Sequence, residues 1–197
     1  MGVAELIEQI RSLYVTSLQQ ALTAHATVRA EPIADADMVD TGAASRSGSR
    51  VWQRRHDGVE ANAAGEETPF AVDSEGVLGF EPISFPWGED LNVQLAPFCW
   101  DFAEFEVPSG GLKNFVENLG DWHGRWFTPS ARSNRQARER AEEGLAGVVH
   151  ELSGVQENGD YCCFQVDFGS APVLCFEDLL DVLVASGVAS VTVREAV

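Results

Sequence analysis

A chain of 197 residues, 45% of them hydrophobic and including 11 Phe and 5 Trp, has the material to bury a core without help from disulfides or a structural metal. Thirty-one acidic residues against thirteen basic ones give a formal charge of −18, a field that repels nucleic acid and anionic membranes and attracts cationic partners. No run reaches the roughly 18 apolar residues of a membrane span. The opening Met1-Gly2-Val3-Ala4-Glu5 lacks the basic patch and apolar run of a secretory signal, so the expected compartment is the cytoplasm.

Residues 3 to 26 carry the clearest helical pattern. Val3, Leu6, Ile7, Ile10, Leu13, Tyr14, Leu18, Ala21 and Leu22 recur at three- and four-residue spacing, which lays one apolar stripe along a helix. Glu5, Glu8, Arg11, Gln19 and Gln20 fall on the expected solvent face. The stripe suits packing on the helix's own domain, with a dimerisation helix as the alternative. Residues 28 to 67 differ in character, being rich in Ala, Gly, Ser and Asp. They are expected to form a loop-rich excursion with one or two edge strands, among them Arg50 to Arg54. No domain boundary is expected, and residues 1 to 197 read as a single α+β domain.

From Phe70 onward the pattern is that of strands. Leu91-Asn92-Val93-Gln94-Leu95 and Ala103-Glu104-Phe105-Glu106-Val107 alternate with period two, as half-buried strands do. Leu112 to Phe127 is expected to be helical. A second helix is expected from Ala131 to about Leu152, burying Leu145, Val148, Val149 and Leu152. Asn158-Gly159-Asp160 signals a turn. Tyr161 to Phe168 is then a strand, Phe176 to Ala185 a helix closed by Gly187, and Val188 to Val193 a last strand. That order suggests a right-handed crossover between parallel neighbours. The expected fold is therefore α+β: a mixed, mainly antiparallel sheet, a long N-terminal helix, further helices packed on it, and a strand–helix–strand close.

The sequence lacks the recognisable catalytic motifs. It contains no GxGxxG, no phosphate-loop lysine motif, no HExxH and no GxSxG. Asp167-Phe168-Gly169 spells a kinase metal-binding triplet with nothing else of a kinase around it, so Asp167 reads as a strand-end residue. His25, His56, His123 and His150 have no ligand-like spacing to one another or to the cysteines, and His150-Glu151 is expected on a helix. Cys99, Cys162, Cys163 and Cys175 lie in apolar stretches and suit a reducing compartment. No catalytic residue, metal or cofactor is expected.

The carboxylates are more informative. Fourteen acidic residues lie between Asp57 and Asp121 with one basic residue, Lys113. Glu104 and Glu106 share one face of a strand, Asp101 lies close by, and Glu89 with Asp90 opens the preceding strand. Aromatic residues are interleaved, Trp87 and Trp100 among them. Aromatic anchors and steering carboxylates together suit a protein interface, which makes Trp87, Glu89, Asp90, Trp100, Asp101, Glu104 and Glu106 the expected partner-binding residues. The competing account is an ordinary strand with a wet outer face and its aromatics in the core.

In general character, small, acidic, of mixed class and without catalytic motifs, the chain resembles bacterial immunity proteins of interbacterial toxin systems. The resemblance implies a cytoplasmic antitoxin that neutralises a cationic toxin domain by stoichiometric binding, as monomer or dimer, without nucleic acid or membrane. A chaperone for a secreted effector, a nucleic-acid mimic, and an enzyme with an unrecognised His, Cys or carboxylate site are the alternatives.

Overall fold

The computed structural model describes residues 2–24, 28–31, 54–74, 76–128 and 144–196. Its first element, α1 (Val3–Ala24), buries Leu6, Ile7, Ile10, Tyr14 and Leu18 of the expected stripe, together with Val15, against the protein's own core; Leu13, expected on that stripe, lies at its edge and is 39% exposed. Arg11 is a correction: it is 3% exposed. Its Nε donates to the Ala171 carbonyl at 2.7 Å and its Nη2 to the Ser170 carbonyl at 3.3 Å. Four residues after Ile7, position 11 lies on the same face, and the carbonyls of a buried loop require donors there.

The excursion contributes a small antiparallel sheet in the order β1-β2-β3, with β1 at Val28–Ala30, β2 at Gly58–Ala61 and β3 at Glu67–Phe70. Asn62 closes the β2–β3 turn, its Oδ1 accepting the N–H groups of Ala64 and Glu66, both at 2.9 Å. The expected strand from Arg50 to Arg54 lies almost wholly outside the described residues.

The principal sheet runs β4-β5-β10-β6-β9-β7, and β8 also pairs with β9. Its members are β4 (Ile83–Trp87), β5 (Leu91–Leu95), β6 (Ala103–Pro108), β7 (Glu151–Leu152), β8 (Gln156–Asn158), β9 (Tyr161–Asp167) and β10 (Ser190–Glu195). Every pairing is antiparallel except β10 with β5. Period-two alternation puts Leu91, Val93, Leu95, Ala103, Phe105, Val107, Phe164, Val166, Val191 and Val193 on one face, all buried. The helices α1, α2 (Phe115–Phe127) and α3 (Val173–Ala185) contribute their apolar faces to the same core. This is the α+β architecture expected from the sequence.

Two expectations change. The chain from β9 through α3 to β10 does link parallel strands, but they are not neighbours. β6 lies between them, antiparallel to both, and the parallel neighbour of β10 is β5. The helix expected up to Leu152 is also absent from its described part, where residues 144–150 are irregular and β7 follows. Gly144 and Gly147 take φ of 87° and 67°, a left-handed backbone no helix contains. Val148, Val149 and Leu152 are buried as expected, but outside any helix. The N–H of Val149 bonds the Trp126 carbonyl and that of His150 the Asp167 carbonyl. Residues 129–143 lie outside the described part.

An aromatic cluster fills the space between sheet and helices. Trp100 stacks on Phe168 with centroids 4.4 Å apart, and Phe105 on Phe164 at 5.1 Å. Trp122 and Trp126, four residues apart on α2, are both buried, and their indole N–H groups bond the Cys175 carbonyl and Asp178.

Candidate functional site

Side chains that alternate away from the helices line the other face of the principal sheet. Strand register places Ser84, Gln94, Thr192, Glu106, Cys163 and Gln156 in one row across it. Beside that row, Arg194 lies opposite Glu104, which in turn lies opposite Gln165. Asn92 and Gln94 are exposed, while Glu104, Glu106, Cys163, Gln165, Thr192 and Arg194 are partly so. Phe102, the residue before β6, is 50% exposed. It borders a pocket of about 90 Å³ shared with Arg54, Asp101, Glu151, Ser153, Gln165 and Asp167.

The expected partner-binding residues do not form one patch. Glu104 and Glu106 do share this face, but Arg194 already bridges them: its Nε lies 2.9 Å from Glu104 and its Nη2 3.0 Å from Glu106. Asp101 accepts the Ser74 N–H at 3.1 Å and also its hydroxyl. Glu89 and Asp90 are exposed in the β4–β5 turn, two to three strands from β6, roughly 10–14 Å at the usual strand spacing. Trp87 is partly buried and turned toward the helices, where its Nε1 donates to Asp181 at 2.8 Å. Trp100 is fully buried, with its Nε1 on the Gly169 carbonyl at 3.0 Å. It is a core residue and offers a partner nothing; Phe102 is the exposed aromatic of that segment.

Folding also builds a polar cluster that residue spacing does not reveal. His150 is wholly buried at its centre. Its Nε2 lies 2.9 Å from Glu31, and its Nδ1 lies 2.9 Å from Asp57 and 3.8 Å from Asp167. The Tyr14 hydroxyl donates to Asp57 and sits 3.5 Å from Nδ1. The Ser170 hydroxyl donates to Glu31 and accepts the N–H groups of Gly147 and Val148. Glu31 also takes the Ala146 N–H, and Asp57 that of Val72. The cluster thus ties α1, the excursion, the segment before β7 and the end of β9 together.

Burial opposes charge on His150, but Asp167, Asp57 and Glu31 outweigh it and hold the imidazolium to about pH 10. Burial likewise works against Glu31 and Asp57. Bonding to His150 and its positive charge, together with Ser170 and Tyr14, keep both carboxyls below their ordinary range. Asp167 goes the other way, raised to about 7, because burial and the Asp57 charge outweigh the pull of His150. The adjacent guanidinium groups serve backbone carbonyls: Arg11 those of Ala171 and Ser170, Arg55 those of Glu31 and Phe127.

The Asp167-Phe168-Gly169 triplet has a local meaning here. Asp167 ends β9 and accepts the Gly169 N–H at 2.8 Å, Phe168 enters the aromatic cluster, and Gly169 lies against the His150 ring. His150 itself precedes β7 and is not on a helix. Glu31, Asp57, His150 and Asp167 are too far apart in sequence for spacing to link them. The one local hint is a histidine at the end of the apolar run Val148-Val149.

Fold and surface together define an α+β protein with helices on one side of a mixed sheet and a polar, carboxylate-bearing face on the other. No family model matches the chain, and no curated protein or solved structure matches it.

Proposed function

We propose that the protein acts by stoichiometric binding of a cationic protein partner, as immunity proteins do with their toxins, and that the outer face of the principal sheet is the docking surface. The observation that carries this reading is Phe102, half exposed beside Asp101, Gln165 and the Arg54–Glu151 ion pair at the end of that face. An aromatic ring set among carboxylates supplies both an apolar anchor and recognition of arginine or lysine. A chain charge of −18 adds long-range steering toward a basic partner. Glu104 and Glu106 contribute to the surface as a preformed group with Arg194, so a partner's cation competes with Arg194 for them. The N-terminal helix spends its apolar stripe inside the fold, which removes the feature that suited an effector chaperone.

The test is a calorimetric titration with the product of the reading frame adjacent to the protein's own. A one-to-one complex is expected. Its affinity falls as salt rises from about 0.01 to about 1 M and the screening length shrinks from roughly 30 to roughly 3 Å. A complex insensitive to salt, or one unaffected by Phe102→Ala, removes this surface from the interaction.

A further inference from the structure

We infer that Asp57, His150 and Asp167 form a binding site for a first-row divalent metal ion, entered through the pocket beside Phe102. This inference is independent of the partner-binding reading. One ligand atom from each of the three residues lies within 4.8 Å of the other two. His150 Nδ1 is 2.9 Å from Asp57 and 3.8 Å from Asp167. A tetrahedral ion about 2.0–2.1 Å from its donors holds them roughly 3.4 Å apart, a span that the two separations from Nδ1 bracket.

Several further features distinguish this arrangement from a chance group of acids. Its central donor is an imidazole, whose other nitrogen lies 2.9 Å from Glu31. A carboxylate behind a metal-bound histidine fixes the ring and its tautomer; here Glu31 would keep the proton on Nε2, while the ion displaces the Nδ1 proton that otherwise faces Asp57. The Tyr14 hydroxyl, 3.5 Å from Nδ1, is a fourth oxygen within reach. Three carboxylates surround one imidazole. A bound ion would take the place of the Nδ1 proton of the imidazolium, which leaves to solvent, and put a divalent charge among these carboxylates.

There is also a route in. The side chains of His150 and Glu31 are fully buried, whereas that of Asp167 keeps 22% of its surface exposed and lines the 90 Å³ pocket. One nitrogen with two or three oxygens suits Zn²⁺, Mn²⁺ or Fe²⁺ and disfavours soft thiolate-seeking ions.

The experiment uses the full chain stripped of metal with a chelator and then titrated with Zn²⁺ by calorimetry and with Co²⁺ by visible absorption. The expected result is one ion per chain, with the visible bands of a low-symmetry Co²⁺ site. Asp167→Asn keeps the oxygen that accepts the Gly169 N–H and removes the charged ligand. It is expected to weaken binding by about tenfold or more while leaving the near-UV circular dichroism of the metal-free protein unchanged. A second reading needs no variant: Mn²⁺ added to the wild-type chain is expected to broaden the His150 ring and Gly169 amide resonances first. Three results would overturn the inference: no saturable one-to-one binding, equal affinity in Asp167→Asn, or first broadening at Cys162 and Cys163.

Discussion

A Cβ placed on Gly169 would lie 2.2 Å from Cδ2 of His150, and Gly169 itself holds φ at +51°. The glycine therefore serves two ends: its backbone turns the chain out of β9, and its missing side chain makes room for the imidazole. Gly169→Ala meets both the left-handed backbone penalty of about 1–2 kcal/mol and an overpacking cost of typically about 1–3 kcal/mol. We expect a clear fall in the urea midpoint with an unchanged slope. A midpoint equal to that of the wild type would mean that the ring does not occupy this position in solution.

Arg11 makes a second test of buried polar chemistry. Arg11→Met fills much of the same volume but leaves the Ala171 and Ser170 carbonyls without their guanidinium donors. Unsatisfied buried groups cost about 1–3 kcal/mol each when one partner is removed, so destabilisation of that order is expected by chemical denaturation. Arg29→Met is the control, because the Arg29–Glu67 pair is exposed on both sides. Its loss should change stability by less than about 1 kcal/mol.

These two positions mark the limit of what the sequence makes legible. Strands such as β5, β6 and β10 were readable because one face of each packs on the core and the other does not, so period two survives in the residues. The stripe of α1 was readable for the equivalent reason at period 3.6. Arg11 was misassigned because polarity alone says nothing about a carbonyl of residue 171 that needs a donor. The segment before β7 reads as a helix because Leu145, Val148, Val149 and Leu152 fit a helical spacing, while Gly144 before them and Gly147 among them set a left-handed backbone. The placement of β10 between β5 and β6, and the meeting of Glu31, Asp57, His150 and Asp167, depend on chain topology, and no local pattern records them. Trp100 shows the same limit at the proposed partner surface: period two does not extend into the turn before β6, so nothing local said that Trp100 enters the core while Phe102 stays out.

His123 supplies a pH dependence with a definite sign. Burial, assisted by the nearby Arg55 charge, lowers its pKa from 6.5 to about 4. In that window the unfolded chain binds a proton that the folded chain refuses, so the stabilising contribution is complete above pH 6.5 and is lost as pH falls toward 4. Asp167, raised to about 7, acts in the opposite direction over part of the same range, so the measurement must be differential. His123→Phe keeps a ring against Phe127, whose centroid lies 5.0 Å from that of His123. Relative to this variant, the wild-type protein is expected to lose stability steadily between pH 6.5 and 4. Parallel stability curves for the two proteins would show that His123 is not held neutral.

The group formed by Glu104, Glu106 and Arg194 allows the docking face to be tested without dismantling it. Glu104→Lys with Glu106→Lys alone would set three cations together on adjacent strands and confuse repulsion within the fold with loss of a partner. Adding Arg194→Glu restores opposite charges across the β6–β10 pairing and changes the local charge from −1, two carboxylates and one guanidinium, to the reverse sign. Ion pairs at a partly exposed face contribute little to stability, about 0–1 kcal/mol, and the variant restores opposite charges there, so it is expected to unfold close to the wild-type midpoint. Its affinity for a basic partner should nevertheless fall, chiefly through a slower association rate, since charges at an interface act most strongly on encounter. Measured by stopped-flow association at low salt, the difference between the two proteins should shrink as salt is raised. An association rate equal to that of the wild type would place the docking surface elsewhere on the molecule, with the exposed Glu89 and Asp90 of the β4–β5 turn the next residues to reverse.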